Sequence, residues 1–136
     1  MTMENDEQHQ KKSIAAAVAD LNKYIADFNS GNLDGVTRSL DENVEVYLDG
    51  NLAAKGRATI LPSYSDDFKT GKQVSIVGCE PKGTVIQDDG LIVKVAVVLK
   101  TVTPQQPTML LDVVYSYDPN TVRQVRHEIT NVRREE

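Results

Sequence analysis

The residues of this sequence that can donate a hydrogen bond or move a proton fall at a few defined places. Tyr24 lies in the apolar stripe of LNKYIADFNSGNLDGV, where it is either a packed core aromatic or a hydrogen-bond donor aimed into a pocket. Asp112 lies in the apolar run TMLLDVVYSY, and His127 and Glu128 are neighbours in VRQVRHEITNV. These side chains predict general acid–base chemistry, with a tyrosine as donor and a carboxylate or imidazole as the proton-transfer group.

Strand alternation decides which of these groups can share a site. Alternation divides TMLLDVVYSY into two faces: Leu110, Asp112, Val114, Ser116 and, opposite them, Met109, Leu111, Val113, Tyr115, Tyr117. If the first face lines a cavity, Asp112 is a carboxyl group with a raised pKa, and if it faces solvent, Asp112 is an ordinary polar residue. His127 and Glu128 point to opposite faces, so only the inward one can act as an acid or base, unless Tyr or Arg neighbours merely satisfy it.

Composition excludes several classes of function. The chain has 136 residues, the size of one domain, and its net charge of −5 argues against a nucleic-acid surface. The single cysteine, Cys79, permits no intramolecular disulfide, and it has no metal-ligand spacing with the two histidines, so neither a metal nor a cofactor is predicted. The N-terminus is too polar for a secretory signal and no run reaches the length of a membrane span. We therefore expect a cytoplasmic protein with no nucleic-acid or membrane partner.

The elements that position these residues follow from hydrophobic spacing. Apolar residues recur every three or four positions across residues 14–28, which predicts an amphipathic helix ended by Gly31. A short second helix follows, and the alternating segment ENVEVYLDG predicts a half-buried strand that ends in a turn. From Lys72 onward the apolar period is two, as in a run of antiparallel strands. The chain is thus predicted to be a flexible tail (1–11) followed by one α+β domain (12–136).

The order of these elements and two local motifs resemble the NTF2-like, or SnoaL-like, family. The motifs are FNSGNLDGV, with its break at Gly31, and KGRATI, with Gly56 and Arg57 at the start of a third helix. The resemblance implies a cone-shaped fold in which three N-terminal helices pack on a strongly curved, mainly antiparallel sheet around a cavity. The family includes ketosteroid isomerases, polyketide cyclases, epoxide hydrolases and non-enzymatic association domains, so the fold by itself does not decide the chemistry.

Comparison with the ketosteroid isomerases implies roles for individual positions. KYIADFNSGN places Tyr24 where those enzymes keep the donor to the enolate oxygen, and GRATILPSY places Tyr64 at a second tyrosine of the network. The general base of those enzymes falls on Leu48, and their second donor falls on Leu110, two residues from Asp112. The predicted catalytic residues are Tyr24, Asp112, His127 and Glu128, and the predicted pocket residues are Tyr64, Leu48, Leu110 and Val114.

Two functions remain open from the sequence. The first is a cavity for a hydrophobic small molecule, with isomerase-like or cyclase-like acid–base chemistry that lacks the usual base. The second is a non-catalytic, homodimeric association domain. The face from Met109 to Tyr117 is too apolar for water, and with one face of the strand Leu91–Val102 it predicts an outer patch through which two copies pair.

Overall fold

Three helices pack against one six-stranded sheet. This computed structural model describes the backbone of residues 3–87 and 90–135 and the side chains of residues 11–79 and 92–135. The elements are α1 (Met3–Asn29), α2 (Leu33–Ser39), β1 (Leu40–Leu48), β2 (Asn51–Lys55), α3 (Arg57–Thr70), β3 (Gln73–Gln87), β4 (Gly90–Val102), β5 (Met109–Asp118) and β6 (Arg123–Arg134). The strand order is β2-β1-β6-β5-β4-β3, with β1 and β6 parallel and the other pairs antiparallel. The predicted α+β class with a mainly antiparallel sheet is confirmed.

The helices differ from the prediction in two respects. α3 follows the β1–β2 hairpin, so only two helices precede the first strand, which corrects the prediction of three N-terminal helices. α1 begins at Met3, although the sequence predicted a tail up to residue 11, because the Glu, Gln and Lys residues there have good helix propensity. Met1 and Thr2 lie outside the described residues. No helix in the described part of the chain combines the length and apolar character needed to cross a membrane.

A glycine–asparagine pair makes the break between α1 and α2. Gly31 has a φ of 70°, in the left-handed region that favours glycine. Its amide donates to the Phe28 carbonyl at 3.0 Å, and the Asn32 amide donates to the Asp27 carbonyl at 2.8 Å, which satisfies the last carbonyls of α1. The Asn32 side chain then caps α2 by accepting from the Gly35 amide at 3.1 Å. The predicted break is confirmed.

The start of α3 is tied to the first strand. The Gly56 amide donates to the Val44 carbonyl at 2.8 Å, and Arg57 Nη1 donates to the Leu40 carbonyl at 3.2 Å. These bonds turn the chain from the hairpin onto the face of the sheet where Ile60 of α3 is buried. The predicted Gly56-Arg57 start of the helix is confirmed.

The core lies between the helices and one face of the sheet, called here the inner face. The inward residues of β4 are Val93, Val95, Val97 and Leu99. On β5 the inward residues are Val113, Tyr115 and Tyr117, so the set predicted to form an outer patch lies under the helices instead. The physical reason is that this set is the more apolar of the two faces of β5. The side chain of Leu91 lies outside the described residues.

The left-handed backbone at Gly31 gives a direct test of the α1–α2 break. We expect Gly31→Ala to lower the free energy of unfolding by about 1 kcal/mol, because an L side chain is strained at positive φ. A Cβ built at Gly31 meets nothing within 4 Å, so the strain is in the backbone and not in packing. Gly31→Asn should lose less, since asparagine tolerates this conformation. Urea denaturation measures both variants, and an equal loss for both would contradict this explanation.

Candidate functional site

A cavity of about 250 Å³ lies between α1, α3 and the inner face of the sheet. Much of its wall is apolar and includes Ile25, Phe28, Ile60, Leu99, Val113 and Ile129. Four buried side chains bring polar atoms to it: Tyr24, Tyr64, Tyr115 and His127. Lys72 and Asp67 also line it, and their ion pair of 3.3 Å stays partly exposed, at 30% and 35% of the side chains. The cavity is therefore apolar inside and charged where it meets solvent.

The tyrosines of α1 and α3 meet inside this cavity. The hydroxyl oxygens of Tyr24 and Tyr64 are 2.5 Å apart, and their rings pack edge to face with centroids 6.2 Å apart. Burial raises the pKa of Tyr24 well above its usual value and that of Tyr64 to about 12, so both phenols are protonated at neutral pH. Two phenols carry two protons and their mutual hydrogen bond uses one. One O–H therefore remains to donate to another acceptor.

The imidazole of His127 lies beside the tyrosines. Its ring centroid is 4.8 Å from that of Tyr115 and 6.3 Å from that of Tyr24. Burial lowers the pKa of His127 to about 4, because the charged imidazolium loses its hydration. The imidazole is thus neutral at pH 7, with one nitrogen protonated and one free to accept a proton.

A β-bulge in β6 brings two polar side chains that are three residues apart, Gln124 and His127, to the inner face. Ser116 of β5 pairs with Arg126, but the next residue, Tyr117, pairs with Gln124, so Val125 is an extra residue in the ladder. Both Gln124 and His127 are consequently buried on the inner side, where His127 Nε2 and Gln124 Oε1 are 2.5 Å apart. Simple alternation would place these two residues on opposite faces.

Three of the predicted site residues meet in the cavity: Tyr24, Tyr64 and His127. Glu128 does not, because it lies on the other face of β6 and pairs with Arg126 Nη1 at 3.6 Å. Leu48 does not either, since it is 45% exposed at the end of β1, and the cavity wall is formed instead by Val46. The inward member of the His127–Glu128 pair is therefore the histidine.

Asp112 lies on the outer face of the sheet, which corrects its predicted place in the cavity. Its carboxylate accepts from Asn131 Nδ2 at 3.1 Å and from Arg133 Nη1 at 3.2 Å. The hydrogen bond from Asn131, aided by Arg133, holds its pKa below the usual range, the opposite of what a buried acid would show. Leu110 and Val114 share this outer face, so they do not line the cavity under the helices, because the more apolar set of β5 faces the core.

Sequence reasoning missed a chain of hydrogen bonds that runs from His127 to α1. Gln124 Nε2 donates to Tyr117 Oη at 2.9 Å, and Tyr117 Oη donates to Asp20 Oδ2 at 2.8 Å. Burial raises the pKa of Asp20, and hydrogen bonds from Tyr117 and Ser39 act in the opposite direction. Asp20 could have been found, because it precedes Tyr24 by one helical turn on the same face. Nothing in the local sequence reveals Gln124, because the bulge determines its direction.

Comparison with known proteins identifies the fold. No protein-family model matches the sequence, and no curated protein matches it. Among solved structures, a protein of unknown function with a cystatin-like fold from Methylobium petroleophilum is 13% identical, with a TM-score of 0.68 over 90% of this chain and 78% of that one. A candidate ketosteroid isomerase from Kribbella flavida is 16% identical, with a TM-score of 0.66 over 90% and 81%. An NTF2-like protein of unknown function from Cytophaga hutchinsonii is 10% identical, with a TM-score of 0.60 over 83% and 87%.

The buried neutral imidazole predicts how stability depends on pH. The pKa of His127 is about 4 when folded, against an ordinary value of 6.5, so between these pH values the unfolded chain binds a proton that the folded chain does not. The free energy of unfolding should therefore fall as the pH drops through this window, with a His127 contribution of up to about 3 kcal/mol. Above the window His127 contributes no pH dependence.

His127→Gln, which keeps a donor for Gln124, should remove this contribution. Urea denaturation of the wild type and the variant at several pH values isolates it as the difference between the two curves, since Asp20 and the other carboxyl groups act in both proteins. The two free energies should diverge near neutral pH and approach each other in acid. Parallel curves would show that His127 titrates as an ordinary histidine.

Proposed function

This chain has the NTF2-like fold, and on that premise we propose that its cavity binds a small apolar molecule with a carbonyl group and transfers a proton on it. The observation that carries the proposal is the meeting of a protonated Tyr24 and a neutral His127 in one apolar cavity. A donor and an acceptor of protons side by side, away from water, form the minimal apparatus for enolisation.

The cavity limits the class of ligand. Its volume of about 250 Å³ is just below the usual range for small-molecule sites, which suits a compact one- or two-ring compound. The apolar wall favours a hydrocarbon skeleton, and the Tyr24–Tyr64 pair offers a hydrogen bond to a single oxygen inside it. The Lys72–Asp67 pair at the opening tolerates a polar substituent that points to solvent.

The proposed reaction uses each group once. The free O–H of the tyrosine pair donates to the carbonyl oxygen and stabilises the negative charge that develops there when the adjacent carbon loses a proton. His127 accepts that proton through its unprotonated nitrogen and returns it to another carbon of the same molecule. A base of low pKa can serve because the hydrogen-bonded enolate is itself stabilised.

The ketosteroid isomerase resemblance supports the donor and not the base. Tyr24 occupies the place of the isomerase donor and lines the cavity, as does Tyr64. Leu48, at the place of the isomerase base, is exposed and outside the cavity, and it cannot accept a proton. His127 on β6 therefore takes over the base function in our proposal, from a different strand.

Binding of an enolate mimic tests the donor. We expect 2-naphthol to bind more tightly than naphthalene, and Tyr24→Phe to weaken naphthol binding roughly tenfold, the value of one hydrogen bond, while leaving naphthalene unchanged. The chain contains no tryptophan, so naphthol fluorescence reports binding without indole background. Tyr47→Phe is the matched control, because Tyr47 lies outside the cavity and contacts Glu45 and Arg126.

Isotope exchange tests the base. Deuterium uptake next to the carbonyl of a cyclic enone, followed by NMR, should be catalysed by the wild type and by Tyr47→Phe and lost in His127→Gln. Equal binding of naphthol and naphthalene, unaffected by Tyr24→Phe, would overturn the donor function. Exchange that persists in His127→Gln would overturn the base function.

The competing function is a non-catalytic domain that pairs through the outer face of the sheet. A groove on that face, lined by Gly78, Cys79, Ala96, Val98, Asp112 and Val114, has a volume of about 450 Å³. Apolar surface of this kind favours an interface between two copies, although the residues differ from those that the sequence suggested.

Light scattering coupled to size exclusion tests this alternative. A dimer at micromolar concentration that Val98→Glu converts to monomer would support it, because the buried charge would be unpaired. Ala58→Glu, at an exposed position on α3 on the opposite side of the sheet, is the control and should leave the dimer intact. A wild-type protein that is monomeric at micromolar concentration would refute the paired domain.

A further inference from the structure

We propose that Asp20 of α1 sets the tautomer of His127 through Tyr117 and Gln124, so that the cavity meets an unprotonated imidazole nitrogen. Asp20 is in this view a positioning residue that acts through two others and does not touch the ligand. The inference rests on the proposed function for its purpose, and its structural content can be measured without any ligand.

The donor–acceptor direction of this series of hydrogen bonds follows from the residue at its end, Asp20. A carboxylate can only accept a hydrogen bond, so the Tyr117 hydroxyl must donate its single proton to Asp20 Oδ2, 2.8 Å away. Tyr117 Oη is then left as an acceptor, and it faces the amide nitrogen of Gln124 at 2.9 Å. With its nitrogen turned to Tyr117, the amide presents its oxygen to His127 Nε2.

The amide oxygen decides where the histidine proton lies. Since Gln124 Oε1 can only accept, His127 Nε2 must carry the proton. In a neutral imidazole the other nitrogen, Nδ1, is then unprotonated. His127 lines the cavity and its Nε2 is committed to Gln124, so Nδ1 is the nitrogen left for a ligand.

The reverse orientation would give the opposite chemistry. If Tyr117 donated to Gln124 Oε1, the amide would donate to Nε2, and Nδ1 would carry the proton. The cavity would then contain a second donor and no base. The carboxylate of Asp20 excludes this arrangement, because it cannot donate to Tyr117. Its other oxygen, Oδ1, accepts a hydrogen bond from Ser39 Oγ at 3.2 Å.

Nitrogen NMR of ¹⁵N-histidine protein measures the tautomer directly, because protonated and unprotonated ring nitrogens have well-separated shifts. A His9→Gln background leaves His127 as the single histidine of the chain. We expect His127 to be entirely in the Nε2–H form at neutral pH. Asp20→Asn introduces an amide that can donate to Tyr117, so the chain can reverse and the Nε2–H fraction should fall below half.

Two further variants separate the tautomer effect from a general loss of structure. Tyr117→Phe removes the hydroxyl that links Asp20 to Gln124, which interrupts the series of hydrogen bonds and should give a mixture of His127 tautomers. Asp34→Asn removes an exposed carboxylate of α2 and should leave the Nε2–H form unchanged. Ser39→Ala removes one hydrogen bond to Asp20 but keeps the Asp20–Tyr117 bond, so it should also leave the Nε2–H form unchanged. It is a mild change next to the series of hydrogen bonds.

An Nδ1–H tautomer in the wild type would overturn the proposal even if no variant folds. A folded Asp20→Asn protein that keeps the Nε2–H form would overturn it as well. Failure of the proposed function gives a different pattern: the tautomer responds to Asp20, but naphthol does not bind and no isotope exchange occurs. If naphthol binds and exchange occurs, but the His127 tautomer is the same in the wild type and in Asp20→Asn, only the role of Asp20 is refuted and the proposed function stands.

Discussion

The structure depends on the need of polar groups buried between α1 and the sheet to find hydrogen-bond partners. A buried donor or acceptor without a partner costs roughly 1–3 kcal/mol, a large part of the stability of a small domain. The bonds from Tyr24 to Tyr64 and from Asp20 to Tyr117 meet this need across elements that are distant in sequence. The Asp20–Tyr117 bond thus fixes α1 against β5, and the Tyr24–Tyr64 bond fixes α1 against α3.

The same bonds give the cavity its chemical character. Burial keeps the tyrosines protonated and His127 neutral, so an apolar space contains a donor and an acceptor of protons at once. Tyr24 and His127 are each only 5% exposed, which limits the water that would screen and compete with these groups. The bulge at Val125 is essential to this arrangement, since it turns both Gln124 and His127 inward.

Much of the fold and part of the site could be predicted from the sequence. The break at Gly31, the α3 start at Gly56 and the α+β class all follow from local patterns that the structure confirms. Tyr24 was placed correctly because helical spacing puts it in the apolar stripe of α1. Asp112 was misplaced because the more apolar face of β5, opposite it, is the one that packs under the helices.

The sequence by itself determined the elements, because helix spacing, strand alternation and glycine breaks act between residues close in the chain. It also determined that His127 and Glu128 point to opposite faces, because side chains alternate along a strand. Only the tertiary structure decided that the histidine faces inward, because alternation does not say which face is covered. The meeting of Gln124 with His127 was likewise decided there, since one extra residue in a strand reverses the alternation.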